Sequence, residues 1–560
     1  MTFLPIVDRE LRVAARRPGT YRTRWVAAVG MMALWVVLFV VNRRASPAEL
    51  NKILFVALGV LALGFCLFAG SYLTADCLSE EKREGTLGLL FLTDLRGYDV
   101  VLGKLIATSV SSVYGLLAML PVLALPMMMG GVTVGEYWRV ALVLTATLFL
   151  SLSMGMFVSA AVREARQAMA GTLLGLVALA GLPPTLWWLG YLLFRTRAPA
   201  VVMWPSPVSA FGAALDTAYR GLNGPFDFWM SLATISCVSL GLLVVAALRL
   251  PHAWEERASG ARAADINVTL NGTCSPSSER RSARVAQLLE ANPYQWLASR
   301  TRSFESLGRA LLGLLMVIWF FCLVASVVRI DGKWAFVVCL LTAYAVHQAG
   351  KYLAALDAAR QFSEDRRSGA LELLLITPLP EAQILSGQKR ALQRRSRGLR
   401  RLLLGVNVCM CLAVMTRSES LKMSPRDQAV FVEIFLGGTL VLWADFRALQ
   451  TVGMWRALRA GRQHRAVLGT MGRVMLVPWA GVFLLVFLTY LTRTLSGSEG
   501  EVAVVLALWF LTGILTDLIV AAWARAKLGR GLRYWVAGAE AGGRQRSHSP
   551  ESSTLVALTA

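Results

Sequence analysis

Charge is scarce in this sequence. Only 16% of its 560 residues are Asp, Glu, Lys or Arg, against about 25% in an ordinary soluble domain. Too little charge is present to wet the surface of a water-soluble enzyme of this length. Histidine is scarcer still. The four in the chain, His252, His347, His464 and His548, form no i, i+4 pair, which argues against a zinc enzyme. The eight cysteines make no C-x-x-C pair and no disulfide framework. Cys66, Cys237, Cys322, Cys339, Cys409 and Cys411 lie inside apolar runs. A phosphate-cradling loop is also missing, since G-x-x-x-x-G-K-[ST] is needed for backbone N–H groups, a Lys and a hydroxyl to hold phosphates and Mg²⁺. The nearest string, Gly97 to Gly103-Lys104-Leu105, has one residue too many and Leu where the hydroxyl belongs.

Apolar residues fill the space that charge leaves, at 56% of the chain with a mean hydropathy of +0.56. Runs of about 20 apolar residues are long enough to cross a bilayer. They fall at 25–42, 53–75, 105–129, 138–161, 170–194 and 228–248, and again at 309–328, 334–356, 402–416, 427–449, 472–492 and 502–524. The expected fold is an all-α polytopic membrane protein of about twelve transmembrane helices. Of these, 402–416 is short and 427–449 carries Glu433 and Asp445. Asp8, Arg9 and Glu10 precede the first run without a cleavage site after it, so that span reads as a retained anchor.

The net charge of +23 has two readings. Nucleic acid would require basic residues interleaved with aromatics, and no such surface appears. The alternative is the excess of Lys and Arg that membrane proteins keep in cytoplasmic loops. With both termini cytoplasmic, the inside segments hold 42 of the 57 basic residues and the outside segments 13. The implied location is a cell membrane, of the bacterial inner-membrane kind, crossed many times.

An internal repeat organises the rest. Ser79-Glu80-Glu81-Lys82-Arg83-Glu84-Gly85-Thr86-Leu87-Gly88-Leu89-Leu90, with Thr93, follows the second span. Ser363-Glu364-Asp365-Arg366-Arg367-Ser368-Gly369-Ala370-Leu371-Glu372-Leu373-Leu374, with Thr377, follows the eighth, 284 residues later. A second match sets Gly155-Met156 and Gly171-Thr172 against Gly453-Met454 and Gly469-Thr470, at an offset of 298. The reading is a duplication into two parallel six-helix repeats, with a site or pathway expected where they meet. The expected plan is a first six-helix unit at 1–250, a cytoplasmic linker at 251–290, a second unit at 291–530 and a disordered cytoplasmic tail at 531–560. Asn267-Val-Thr and Asn271-Gly-Thr in the linker match a glycosylation pattern, but this topology keeps them inside.

Each repeated element is a charged turn of helix, a glycine, and then a Leu-rich stretch. Leu87, Leu90 and Phe91 share a helical face. Thr377-Pro378 ends that stretch in the second half, and Asp94 and Gly97 are expected to make the same turn in the first. Mixed charge beside an apolar stripe suits a docking surface.

These residues resemble the permease subunits of ABC exporters of the type-2 class, whose cytoplasmic signature reads roughly E-(R/K)-x-x-G-T-L-E-L-L-x-x-T-P. The match runs from Glu81 to Leu90 with Thr93, and from Asp365 to Leu374 with Thr377-Pro378. It departs at Gly88, Asp94 and Ala370. Arg9-Glu10-Leu11-Arg12 is similar to the family's amphipathic connecting helix, and Asn292-Pro293 with Arg300 and Arg302 is a fainter counterpart. The resemblance implies two permease units fused in one chain, with the two repeated elements acting as coupling helices. They would receive the movement of separate cytoplasmic ABC ATPase subunits, which would carry the ATP and Mg²⁺. This chain would then bind no cofactor and perform no bond chemistry. The residues implied at the ATPase interface are Glu80, Glu81, Lys82, Arg83, Gly85, Thr86 and Leu87, with Glu364, Asp365, Arg366, Arg367, Gly369 and Leu371.

Other features carry less. Cys409-Met410-Cys411 with Met415, and Met127-Met128-Met129, offer soft atoms to Cu(I) but also serve as plain apolar filling. Lys389 to Arg401 is polybasic beside a span, where anionic lipid contributes about 1 kcal/mol per basic residue. Residues 195–226 form the longest outside segment and suggest a short external lid. Asp517, Glu433 and Asp445 are intramembrane acids. Asp517 and Pro183-Pro184 are the only hints of an ion-coupled secondary transporter. A non-catalytic membrane anchor for an enzyme complex is the other alternative.

Overall fold

In the computed structural model, residues 19–41, 46–85, 96–194, 199–251, 289–290, 292–300, 306–327, 332–417, 425–460, 463–482, 484, 501–529 and 532–533 are described. Among them every regular element is helical. Physics leaves little choice, because a chain in hydrocarbon must satisfy its backbone polar groups within each segment. Nine of these helices are long and apolar enough to cross a membrane, in keeping with an all-α polytopic membrane protein. Sequence marks their starts. Ser46 accepts from the Glu49 N–H at 3.4 Å ahead of Pro47, and Thr133 accepts from the Glu136 N–H at 3.2 Å.

Two compact units emerge from the packing: 1–272 with 304–324, and 273–303 with 325–560. In the first, the Val134–Ala161 helix lies at the centre, packed by Pro47–Leu73 and Gly224–Arg249. Pro47–Leu73 and Val134–Ala161 touch almost backbone to backbone. A Cβ on Gly70 would stand 1.8 Å from the Ser151 carbonyl oxygen. Polar groups stitch the contact together: the Gly70 N–H donates to Ser151 Oγ at 2.8 Å, and Thr74 Oγ1 donates to the Leu152 carbonyl at 3.0 Å. Small and hydroxylated residues are what helix association in lipid requires.

Ala165–Phe194 continues through Pro183 and Pro184 without a break. Proline at 184 removes the N–H that would bond the Ala180 carbonyl, and Ser206 Oγ donates to that oxygen instead at 2.8 Å. The segment predicted as an external lid folds into short helices, among them Pro207–Ala214 and Asp216–Tyr219. It is pinned through Asp216, which pairs with Arg139 and Arg220 and accepts from Thr133 Oγ1. Burial raises the Asp216 pKa, but these partners outweigh it and hold the carboxyl below its ordinary value.

The sequence boundary at 291 assigns the seventh span to the second unit. In the structure Phe304–Val324 packs with the first, through close approaches of Leu307 to Gly171 and Ile318 to Gly181 and an edge contact of Trp188 with Phe321.

In the second unit, Pro425–Arg459 is the central helix and is packed by Gly332–Arg367 and Glu501–Leu528. The apolar run at 402–416 is short because it is only the end of a 37-residue helix, Glu381–Arg417. The polybasic segment before it is therefore helical. Almost all of the linker and of the tail, Arg9–Arg12 and most of the 472–492 run beyond 482 lie outside the described residues.

The close approach at Gly70 gives a test. Gly70→Ala forces the two helices apart and is expected to cost about 3 kcal/mol, at the upper end for overpacking. Thermal unfolding of the detergent-solubilised protein checks this, with Gly64→Ala, where a Cβ meets nothing, as the neutral control.

Candidate functional site

The first repeated element is the Cys77–Glu84 helix, closed by Gly85 in the left-handed region at φ 75°, a conformation that a side chain would strain. Ser159 Oγ, from the end of Val134–Ala161, accepts from the N–H groups of Leu78 and Ser79 at 2.9 Å each. Asp76 accepts from Ser79 Oγ at 2.7 Å and pairs with Arg83 at 2.8 Å. Arg83 also donates to the Arg163 carbonyl at 2.8 Å, and Glu81 pairs with Lys104 at 2.9 Å. Lys82 Nζ donates to the Ala160 carbonyl. A cation thus sits on the last turn of a helix whose exposed carbonyls carry its negative end.

The second element has the same construction. Gly332–Arg367 runs out of the apolar region into the charged turn, and Gly369 closes it at φ 72°. Arg366 donates to the Leu458 carbonyl, on the last turn of Pro425–Arg459. Lys82 and Arg366 are 284 residues apart, and Ala160 and Leu458 are 298 apart, the two offsets of the sequence repeat. Two further pairs recur at these spacings. A Cβ on Gly155 would meet Thr74, and one on Gly453 would meet Ala358. Thr172 and Thr470, both fully buried, donate to the Ala168 and Ala466 carbonyls at 2.7 and 2.8 Å.

Most of the residues expected at a docking surface are therefore held inside their own unit. Glu81, Lys82, Arg83 and Arg366 bind neighbouring helices, Leu371 is 1% exposed, and Asp365 faces the Tyr294 hydroxyl at 3.4 Å. Glu80 is half-buried, and Glu364 is half-exposed and paired with Arg360 at 2.9 Å. Thr86 and Leu87 lie outside the described residues. What faces outward in the second element is the next helix, Ala370–Ile376. It exposes Glu372, Leu373 at 69% and Ile376 at 81%. Sequence reasoning passed over Ile376, although its spacing of three from Leu373 was a visible signal.

The fainter counterpart at Asn292-Pro293 is a short helix, Pro293–Arg300. Asn292 caps it, accepting from the Gln295 N–H at 3.0 Å and donating to the Gln383 carbonyl at 2.9 Å. Arg395, from the polybasic segment, donates to its Ala298 carbonyl. Arg390, Arg394, Arg397 and Arg401 are exposed. Their spacing of four, three and four residues puts them on one helical face. The Cys409-Met410-Cys411 run is split by its helix: Cys409 is exposed, while Met410 is buried against Cys339 at 3.5 Å.

These features define a class: a multi-pass α-helical membrane protein whose long helices are tied together by charged turns at their ends. Residues 33–252 match the family described as ABC-2 family transporter protein. That stretch runs from within Gly19–Val41 to the end of Gly224–Arg249, so this part of the first unit is similar to ABC-2-type membrane permeases. No curated protein matches the chain.

Asp365 supplies a pH test. Burial, and then the neighbouring Glu364, push its carboxyl up to about 6, against hydrogen bonds from Tyr294 and Gln361 that lower it. The folded chain then holds this proton more tightly than the unfolded chain does. Stability should fall as pH rises from about 4 to about 6 and level off above. Asp365→Asn is expected to flatten this slope and raise the melting temperature at neutral pH, read by thermal denaturation across that range.

Proposed function

We propose that the whole chain is the membrane part of an ATP-driven ABC exporter, two ABC-2-type permease units fused in one polypeptide with the ATPase supplied by separate subunits. The observation that carries this reading is the repeated clamp, Lys82 on the Ala160 carbonyl and Arg366 on the Leu458 carbonyl. Each charged turn lies between the second and third spans of its half and grips the end of the fourth. A push on the turn therefore moves two spans together rather than one. That is the mechanical property a coupling helix needs.

In this reading the outward face at Leu373 and Ile376 meets an apolar groove on the ATPase. The paired charges behind it keep the lever stiff. ATP closes the two ATPase subunits, the two charged turns transmit the motion, and the halves rearrange. ATP and Mg²⁺ belong to the ATPase, and this chain contributes no bond chemistry. The exposed row Arg390, Arg394, Arg397 and Arg401 fits an anionic lipid surface at the cytoplasmic face, which keeps both termini inside.

Leu373→Asp with Ile376→Asp tests the docking face without touching the clamps. Mild detergent purification of the tagged chain, followed by mass spectrometry and an ATPase assay, should recover an ABC ATPase with the wild type. The double variant should retain about a tenth of it or less, corresponding to a loss of roughly 1.4 kcal/mol of binding or more. Equal recovery from the two would remove Leu373 and Ile376 from the interface. No ATPase with either would favour the ion-coupled alternative.

A further inference from the structure

The second unit contains a buried charge cluster that the coupling mechanism does not use. Lys351 pairs with Asp445, their side chains 13% and 4% exposed, and Asp517 lies beside them at 2% exposure. The three residues come from the packed helices Gly332–Arg367, Pro425–Arg459 and Glu501–Leu528. Neither carboxyl oxygen of Asp517 finds a hydrogen-bond donor among the described residues. What faces it is the Asp445 carboxyl, another acceptor when ionised, with Lys351 next beyond. His347 and Tyr344, one and two turns before Lys351, are the other titratable groups near the pair. His347 makes its bond through Nδ1 with the Ala343 carbonyl at 2.8 Å, and its Nε2 has no partner among the described residues.

Charge counting makes this arrangement informative. With both acids ionised, two negative charges meet one positive charge among side chains that are almost wholly buried. An uncompensated buried charge costs several kcal/mol. One additional positive charge neutralises the cluster and also provides the missing donor between two facing acceptors. The positions corresponding to Lys351 and Asp445 in the first half, 284 and 298 residues earlier, are Leu67 and Thr147. The cluster therefore belongs to the second half alone.

We infer that Asp445 and Asp517 form an intramembrane proton-binding site, holding one proton between them against Lys351 at neutral pH. In the occupied state the Asp517 O–H donates to the Asp445 carboxylate, which also accepts from Lys351. Losing the proton leaves two carboxylates in repulsion across the contact between Pro425–Arg459 and Glu501–Leu528, so occupancy controls how tightly those helices pack. This inference does not depend on the coupling reading and stands or falls without any ATPase.

Infrared difference spectroscopy of the full chain in lipid nanodiscs tests it directly. The wild type at neutral pH should show the C=O band of a protonated carboxylic acid, shifting in D₂O. Asp517→Asn should abolish that band, and Glu433→Gln should retain it. Asp445→Asn provides a second route should Asp517→Asn not fold. With only one carboxyl left to face Lys351, Asp517 ionises and the band is again lost. Sodium ion distinguishes a proton from a metal cation: adding it should leave the band unchanged. A wild-type spectrum with no protonated-acid band assignable to Asp445 or Asp517 overturns the proposal. So does a sodium-dependent melting shift that Asp517→Asn removes in the absence of such a band.

Discussion

A cation on the open end of a helix is the contact on which the placement of both charged turns depends. Lys82 and Arg366 each reach a carbonyl that the helix itself cannot satisfy, at Ala160 and at Leu458. The bond combines charge with an orphaned acceptor, so it is favoured by the helix dipole as well as by hydrogen bonding. It fixes where the charged turn lies, and the left-handed glycine that follows then redirects the chain. Without this anchor the turn would be a solvated loop. With it, the turn that ends one long helix is held against the end of another.

The two halves share this frame but fill it differently. In the first, Gly70, Ser151 and Thr74 bring helix backbones together through small polar side chains. In the second, Lys351 and Asp445 occupy corresponding helices with opposite charges, and Ala358 stands where Thr74 does. A frame fixed by helix ends tolerates such changes, because its register is set outside the apolar region. One half is therefore built for close packing and the other carries an ionisable pair with a third acid beside it.

Much of the fold was legible from composition and period. Runs of apolar residues of bilayer length have no stable alternative to helix in lipid, so the all-α polytopic class followed directly. Boundaries were less legible. Positive charge ended the 402–416 span on paper, while the helix runs on from Glu381, because arginines are good helix formers and their spacing here keeps one face on protein and one outside. The seventh span was read by its order in the chain, whereas its packing follows Gly171 and Gly181, two glycines with nothing in the local sequence to name their partner.

Sequence by itself determined the membrane class, the two charged turns and their spacing, because these rest on hydropathy, charge and glycine, all local properties. Only the tertiary structure decided what the charges do. Glu81, Lys82, Arg83 and Arg366 had the composition of an exposed docking surface, yet they are taken up by partners about twenty to ninety residues away. Leu373 and Ile376, which composition would bury, stand outside. Asp445 and Asp517, 72 residues apart in the chain, meet only because two helices pack. A side chain's neighbours across helices are set by long-range packing, and no window along the sequence contains that information.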